Sequence, residues 1–317
     1  MQNQRCLHCY DRLPADERDF HPWCSQLFFG TATPPVLDLG MDQLQALAME
    51  LVNKSIAVTG VQPKLSLEIE KTPGDPKNSR FTIVGLWGDY ILKPPSDDFP
   101  HLPENEDCSM HLAEHFALPT AAHSLIRLKS GELAYLTKRF DRRKHTKLAM
   151  EDMCQLTETL TENKYRSSME KIGKIIHQYT TFPGIDSKVF FELALFSFLI
   201  GNADMHLKNF ALLTRSGNEI VLSPTYDQVS TLLAMPDDKE EMALTVNGRK
   251  RKLTRKDFET FGATLKIPAK SIASSFEKFN KNLPAAHTII ERSFLPDEAK
   301  KSYHGLLDTN GAKLGLL

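Results

Sequence analysis

The apolar run from Val189 to Ile200, together with the ten residues after it, constrains this chain more than any other stretch. The run is about a dozen residues long and carries Glu192, whereas a bilayer span needs roughly 20 apolar residues, so it reads as a buried helix. It leads into Gly201-Asn202-Ala203-Asp204-Met205-His206-Leu207-Lys208-Asn209-Phe210, a polar segment held at one end by that helix. A hairpin is expected next: Phe210 to Leu213, a turn at Ser216-Gly217-Asn218, then Glu219 to Leu222. Pro224-Thr225-Tyr226-Asp227 follows and places a second carboxylate at a strand end.

Asp204 and Asn209 stand five positions apart, the D-x-x-x-x-N spacing of loops that transfer phosphoryl groups. The spacing suits the chemistry. A carboxylate must accept the hydroxyl proton of the attacking group while an amide oxygen holds Mg²⁺ beside the phosphates. One loop turn brings both into the same cleft. Asp227 is the natural second metal carboxylate, although an aspartate at such a place also serves as a turn or helix cap.

The first half reads differently. Lys64 to Glu70 and Phe81 to Lys93 alternate apolar and polar residues as half-buried strands do, and the polar stretch 71–80 (KTPGDPKNSR) reads as a flexible loop between them. Leu92-Lys93-Pro94-Pro95 stops the strand run. Glu104 to Leu118 has helical spacing of Met110, Leu112, Ala113, Phe116 and Ala117, and two strands are expected at 123–128 and 132–140. From about residue 150 the pattern is mainly helical. The expectation is an α+β, bilobal, protein-kinase-like fold: a β-rich N-lobe over residues 1–137 and a helical C-lobe over 138–317, with the cleft between them as the ligand site.

In the expected N-lobe, the segment from Ser55 to Lys64 precedes a strand and offers amide N–H groups to phosphates. It has one glycine and is neither a Walker loop nor a G-x-G-x-x-G. Lys93, ending the strand YILK, is placed to meet phosphates as a point charge, or is a solvated surface lysine. Glu106 either pairs with Lys93 or supplies favourable charge near a helix N-terminus.

VTGVQPK (58–64), ILKPP (91–95), LPENE (102–106), KRFDR (138–142), MEDMCQ (150–155), GNADMHLKN (201–209) and SPTYD (223–227) together resemble the HipA-like kinases, in that family's order. The short HipT-type members, which lack an N-terminal subdomain, are the most similar. The resemblance implies a Ser/Thr protein kinase using ATP and Mg²⁺, acting as the toxin of a toxin–antitoxin module. It implies antitoxin proteins as partners and an aminoacyl-tRNA synthetase as the phosphorylated target. Asp204 would be the catalytic base, and Asn209 and Asp227 would hold Mg²⁺. Thr59, Gly60, Val61, Gln62, Pro63 and Lys64 would form the phosphate loop. His206, Leu207, Lys208 and Tyr226 would lie beside the nucleotide, Lys93 would contact its phosphates, and Lys138, Arg139 and Phe140 would form the hinge. The family's autophosphorylated serine is replaced by Ala57, which leaves Ser55, ahead of Thr59, as the expected acceptor. A small-molecule phosphotransferase and a pseudokinase binding module are the competing readings. The VTGVQPK and RFDR motifs speak against the first, and the intact Lys93, Asp204, Asn209 and Asp227 against the second.

With a net charge of -1 over 317 residues, no electrostatic footprint for direct nucleic-acid binding stands out. Residues 1–10 lack an apolar core, so neither a signal peptide nor a membrane segment is expected, and the cytoplasm is the default compartment. The basic runs at 142–145 and 248–252 read as solvated faces, or as docking surfaces for an acidic partner. Cys6-x-x-Cys9 and His21-x-x-Cys24 have the spacing of a structural Zn²⁺ site, or are partly core residues.

Overall fold

The computed structural model describes residues 4–44, 46–47, 64–72, 75–84, 87–143 and 146–317. Ser55, Ala57 and the phosphate-loop residues Thr59, Gly60, Val61, Gln62 and Pro63 lie outside the described residues. The chain divides into two compact units. The first comprises Met1–Asp107, Ala121–Phe140 and Arg292–Phe294, and the second Cys108–Thr120, Asp141–Glu291 and Leu295–Leu317.

The first unit is built on a five-stranded antiparallel sheet, ordered β2-β1-β3-β5-β4. Its strands are β1 (Leu65–Thr72), β2 (Asp75–Ile83), β3 (Tyr90–Lys93), β4 (His123–Arg127) and β5 (Leu133–Lys138). Period-two alternation and the strand register send Leu65 and Leu67 to the same face as Tyr90, Leu92, Ile126 and Leu136, and these belong to one core. Helix α1 (Pro22–Phe29) adds Phe28 and Phe29, which meet Tyr90 and Phe81 edge-on.

The structure differs from expectation at two places in this sheet. The stretch 71–80 is mostly strand: β1 runs to Thr72, and β2 resumes at Asp75 and pairs with it. Backbone ladders need no apolar side chains, and Pro76, which has no N–H, is tolerated because β2 is an edge strand. The run Phe81 to Lys93 is two strands, since β2 ends at Ile83 and β3 starts at Tyr90. Gly88 marks the break: a Cβ there would lie 2.4 Å from the Leu67 carbonyl oxygen, so only glycine lets the chain pass so close.

Helix α2 (Leu102–His115) starts two residues before the expected helix and stops three before its end. It closes with Leu118 N–H on the Ala113 carbonyl and Ala117 N–H on that of Glu114, with Ala117 in the left-handed region at φ 54°. This is a Schellman ending, made at a non-glycine residue, which costs about 1 kcal/mol.

The second unit is mainly helical. The strand pair β6 (Arg142–Arg143) and β7 (Thr146–Lys147) precedes β8 (Met150–Asp152), which joins β9 (Ala211–Thr214) and β10 (Ile220–Leu222) in a three-stranded sheet. The helices are α3 (Met153–Leu156), α4 (Met169–Tyr179), α5 (Pro183–Leu199), α6 (Thr231–Ala234), α7 (Arg255–Thr264), α8 (Ala269–Arg292) and α9 (Asp297–Lys313). The apolar run is the C-terminal part of α5, which packs against α4, α7 and α9 and is buried throughout residues 190–199. A helix apolar all round must be enclosed. No helix of the described residues is long and apolar enough to cross a membrane.

Glu192 sits inside this helix because three donors satisfy it: Lys188 from the turn before, and Lys278 and Ser275 from α8. Burial alone would raise its pKa. The bonds from Lys188, Lys278 and Ser275 outweigh burial and hold the carboxyl below its ordinary 4.5. A depressed folded-state pKa adds stability that is fully present above the unfolded value and is lost as pH falls through the folded one. Urea melts of the parent are therefore expected to lose midpoint steadily below pH 4.5, and those of Glu192→Gln to lose less. Equal slopes would contradict the assignment.

Candidate active site

The segment after α5 is held residue by residue. Gly201 turns the chain at φ +66°, and a Cβ there would lie 2.8 Å from Leu306 Cδ2, so the left-handed turn and the close packing both call for glycine. Asn202 is buried and donates from Nδ2 to Gln228 Oε1 (3.3 Å), while its Oδ1 accepts from Asp204 N–H (3.1 Å). Ala203 N–H donates to Thr231 Oγ1 (2.8 Å). Three consecutive residues thus have fixed partners just as the chain reaches Asp204.

Asp204 is exposed, and its Oδ1 accepts a hydrogen bond from the Tyr165 hydroxyl at 2.5 Å. Burial, and then the neighbouring Asp204, push the Tyr165 phenol up from its ordinary 10, so it remains a donor at neutral pH. The single turn Leu207–Asn209 follows. His206 N–H donates to Asn209 Oδ1 (3.2 Å), and Asn209 Nδ2 donates to Asp227 Oδ2 (2.8 Å). Asp227 has φ +59°, a left-handed conformation that aspartate tolerates better than most residues. The hairpin β9–β10 brings it back to Asn209, eighteen positions earlier in the chain.

His206 packs edge-on against Tyr165, with ring centroids 5.1 Å apart. Burial pushes its pKa down to about 4 against the upward pull of Asp204, so the ring is neutral at physiological pH. Its Nδ1 is buried and has no partner among the described residues. Lys208 points to Asp152 (Nζ to Oδ2, 2.7 Å), and Asp152 also caps α3 by accepting from Gln155 N–H. The Leu207 side chain lies in the hydrophobic core, which leaves only its backbone for any ligand, and its N–H already donates to the Lys164 carbonyl. The Tyr226 hydroxyl donates to the Lys208 carbonyl (2.8 Å) and braces the loop from behind.

In the first unit, Lys93 at the end of β3 is only 3% exposed, and its Nζ donates to Glu106 Oε1 on α2 at 2.5 Å. Glu106 is therefore the ion-pair partner of Lys93, and Lys93 is not a solvated surface lysine. Lys64 is exposed immediately before β1. At the expected hinge, Lys138 N–H donates to the Ala122 carbonyl and Arg139 N–H to that of Asp89, so both amides serve the sheet. Phe140 is the last residue of its stretch of the first unit. The structure therefore gathers Asp204, His206, Lys208, Asn209, Tyr226 and Asp227 into one network, and Lys93 with Glu106 into another. Cys6, Cys9, His21 and Cys24 also converge.

Sequence reasoning assigned no role to Tyr165, Asp152, Gln228 or Thr231. Asp152 lay within the MEDMCQ motif, which could have flagged it; the others carry no local signal.

A family model described as the HipA-like C-terminal domain matches residues 56–287. The chain belongs to this family. Among relatives of this HipA-like chain, a Haemophilus influenzae protein named "Putative kinase" is 26% identical over 271 residues, covering 77% of each chain. The Serine/threonine-protein kinase toxin HipA of Shewanella oneidensis is 25% identical over 254 residues, covering 73% of this chain and 56% of that one. The solved structure of HipA from Shewanella oneidensis MR-1, in complex with HipB and operator DNA, superposes with a TM-score of 0.65 at 22% identity, over 82% of this chain and 65% of that one. The Helicobacter pylori proinflammatory kinase CtkA gives 0.54 at 18% identity, over 77% of this chain and 92% of that one. At such identities the two structures establish the fold, which is α+β and protein-kinase-like. The chain spans from 56% to 77% of the length of these two sequence relatives.

Proposed function

We propose that this HipA-like chain is an ATP-dependent Ser/Thr protein kinase. The observation that carries the reading is one clamped loop bearing Asp204 and Asn209, with Tyr165 bonded to the first and Asp227 to the second. Asp204 is the one carboxylate of the pair that is exposed, as a base that meets an incoming hydroxyl must be. In the reaction it accepts the proton of a serine or threonine Oγ as that oxygen forms its bond to the γ-phosphorus and the bridging β–γ oxygen departs. Tyr165 holds the carboxylate in place for that transfer.

The donor set fits Mg²⁺, which favours a few hard oxygen ligands and leaves the rest of its shell to phosphates and water. Asn209 Oδ1 and the Asp227 carboxylate are such oxygens. Bound Mg²⁺ would neutralise charge on the transferring phosphoryl group. Neutral His206, with its buried Nδ1, stands beside this pair to hydrogen-bond without adding charge. By the resemblance, Lys93, held by Glu106, would be a phosphate contact.

By the resemblance, the chain acts as a HipT-type toxin with antitoxin proteins as partners, phosphorylates an aminoacyl-tRNA synthetase in the cytoplasm, and modifies itself at Ser55. Titration calorimetry with a non-hydrolysable ATP analogue tests the nucleotide part. Binding is expected to require Mg²⁺ and to weaken at least about tenfold, or about 1.4 kcal/mol, in Asp227→Asn and Lys93→Met. Unchanged affinity in both variants would contradict the site. Phosphopeptide mapping after Mg-ATP treatment, with the phosphate at Thr59 and none at Ser55, would dispose of the Ser55 assignment.

A further inference from the structure

The N-terminal cysteines and histidine take no part in the reaction above, yet four metal-ligating side chains converge there. The Sγ atoms of Cys6, Cys9 and Cys24 and a ring nitrogen of His21 all lie within 4.8 Å of one another. His21 Nδ1 is 3.4 Å from Cys9 Sγ and 3.8 Å from Cys24 Sγ. A tetrahedral zinc with Zn–S of about 2.3 Å and Zn–N of about 2.0 Å sets sulfur and nitrogen roughly 3.6 Å apart. The spacing is that of a coordination shell. All three cysteines are free thiols.

The surroundings are organised toward these atoms. His21 Nε2 lies 3.1 Å from the Arg12 carbonyl, which can only accept, so Nε2 carries the proton and Nδ1 presents its lone pair to the thiols. Backbone N–H groups of His21, His8 and Cys9 donate to Cys6 Sγ, and that of Asp11 donates to Cys9 Sγ. Tyr10, directly after the second cysteine, takes φ +64°, which lets the chain double back after Cys6-Leu7-His8-Cys9. His21 is the N-cap of α1, and Cys24 stands in its first turn, where the helix favours negative charge.

We infer that Cys6, Cys9, His21 and Cys24 form a structural Zn²⁺ site of three thiolates and one imidazole. Four protein ligands close the shell, so the metal has no open position for catalysis. Its role is to fix the N-terminal segment on the sheet. Leu7 accepts from Leu125 N–H and Ser124 Oγ on β4, and the Tyr10 hydroxyl donates to Asp107 Oδ2 at 2.5 Å, one residue from Glu106 on α2. The metal thus steadies the helix that orients Lys93.

The test is metal content of the full chain purified without chelator, read by plasma mass spectrometry, with Co²⁺ substitution as the spectroscopic probe. Close to one zinc per chain is expected, along with the visible bands of tetrahedral cobalt and a near-ultraviolet thiolate charge-transfer band. Cys9→Ser should lose most of the metal. His21→Cys should keep the stoichiometry and raise the charge-transfer band by about one third, as four thiolates replace three. Chelation should lower the parent's melting temperature and leave that of Cys9→Ser in place. Well under one zinc per chain after reconstitution in reductant would overturn the assignment, as would an octahedral cobalt spectrum or full retention of zinc in Cys9→Ser.

Discussion

Asp204→Asn is expected to lower phosphoryl transfer by about three orders of magnitude while leaving the fold nearly untouched. General bases contribute roughly 10²- to 10⁴-fold, and an amide cannot take the hydroxyl proton. The stability change should be small because the side chain is exposed and the Tyr165 hydroxyl can still donate to an amide oxygen. Exposed positions outside caps and networks usually stay within about 0.5 kcal/mol on substitution, and one retained hydrogen bond keeps this change near that range. Mg-ATP affinity should also survive, since the proposed metal oxygens belong to Asn209 and Asp227. A variant that loses turnover, keeps its melting temperature and still binds nucleotide would identify Asp204 as the base. One that retains even a tenth of the parent rate would place the base elsewhere.

The second large effect concerns stability. Lys93 and Glu106 have side chains 4% and 1% exposed, and their charges meet at 2.5 Å. Glu106→Ala strands a buried ammonium without its carboxylate and is expected to cost about 3–5 kcal/mol. For a chain of this size each kcal/mol lowers the melting temperature by about 2–4 °C, so a drop near 10 °C should be readily seen. Replacing both residues with apolar ones of similar volume, Lys93→Met with Glu106→Leu, should recover most of that loss, because two desolvated charges disappear together. Nucleotide affinity should not recover with it. Chemical denaturation and calorimetry of the two single variants and the double complete the cycle. A cost below about 1 kcal/mol for Glu106→Ala would mean that the pair is solvated in solution, against its burial in the structure.

The residues that the sequence revealed best are those whose partners are close in the chain. Asp204 and Asn209 lie on one loop, and their spacing is the signal. The Cys6-to-Cys9 and His21-to-Cys24 pairs are legible for the same reason. Lys93 and Glu106 stood open to two readings each, because burial is a property of the packed unit and no pattern in YILKPP tells a buried lysine from a wet one. Tyr165 stands 39 residues before Asp204 and is joined to it only by the fold. Gln228 and Thr231 are equally remote from the Asn202 and Ala203 that they hold. The strands within 71–80 are hidden by their polarity, which suits a loop equally well, because an edge strand is held by its backbone and leaves one side to solvent.

The proposed activity is phosphoryl transfer from ATP to a protein hydroxyl at the clamped loop. Its most direct measurement is phosphoamino-acid analysis of proteins labelled when the purified chain, or Asp204→Asn, is added with Mg²⁺ and γ-labelled ATP to a bacterial lysate. Phosphoserine or phosphothreonine on a small number of proteins, present with the parent and absent with the variant, is the predicted result. Labelling that is the same with both proteins, or none with either, would contradict it.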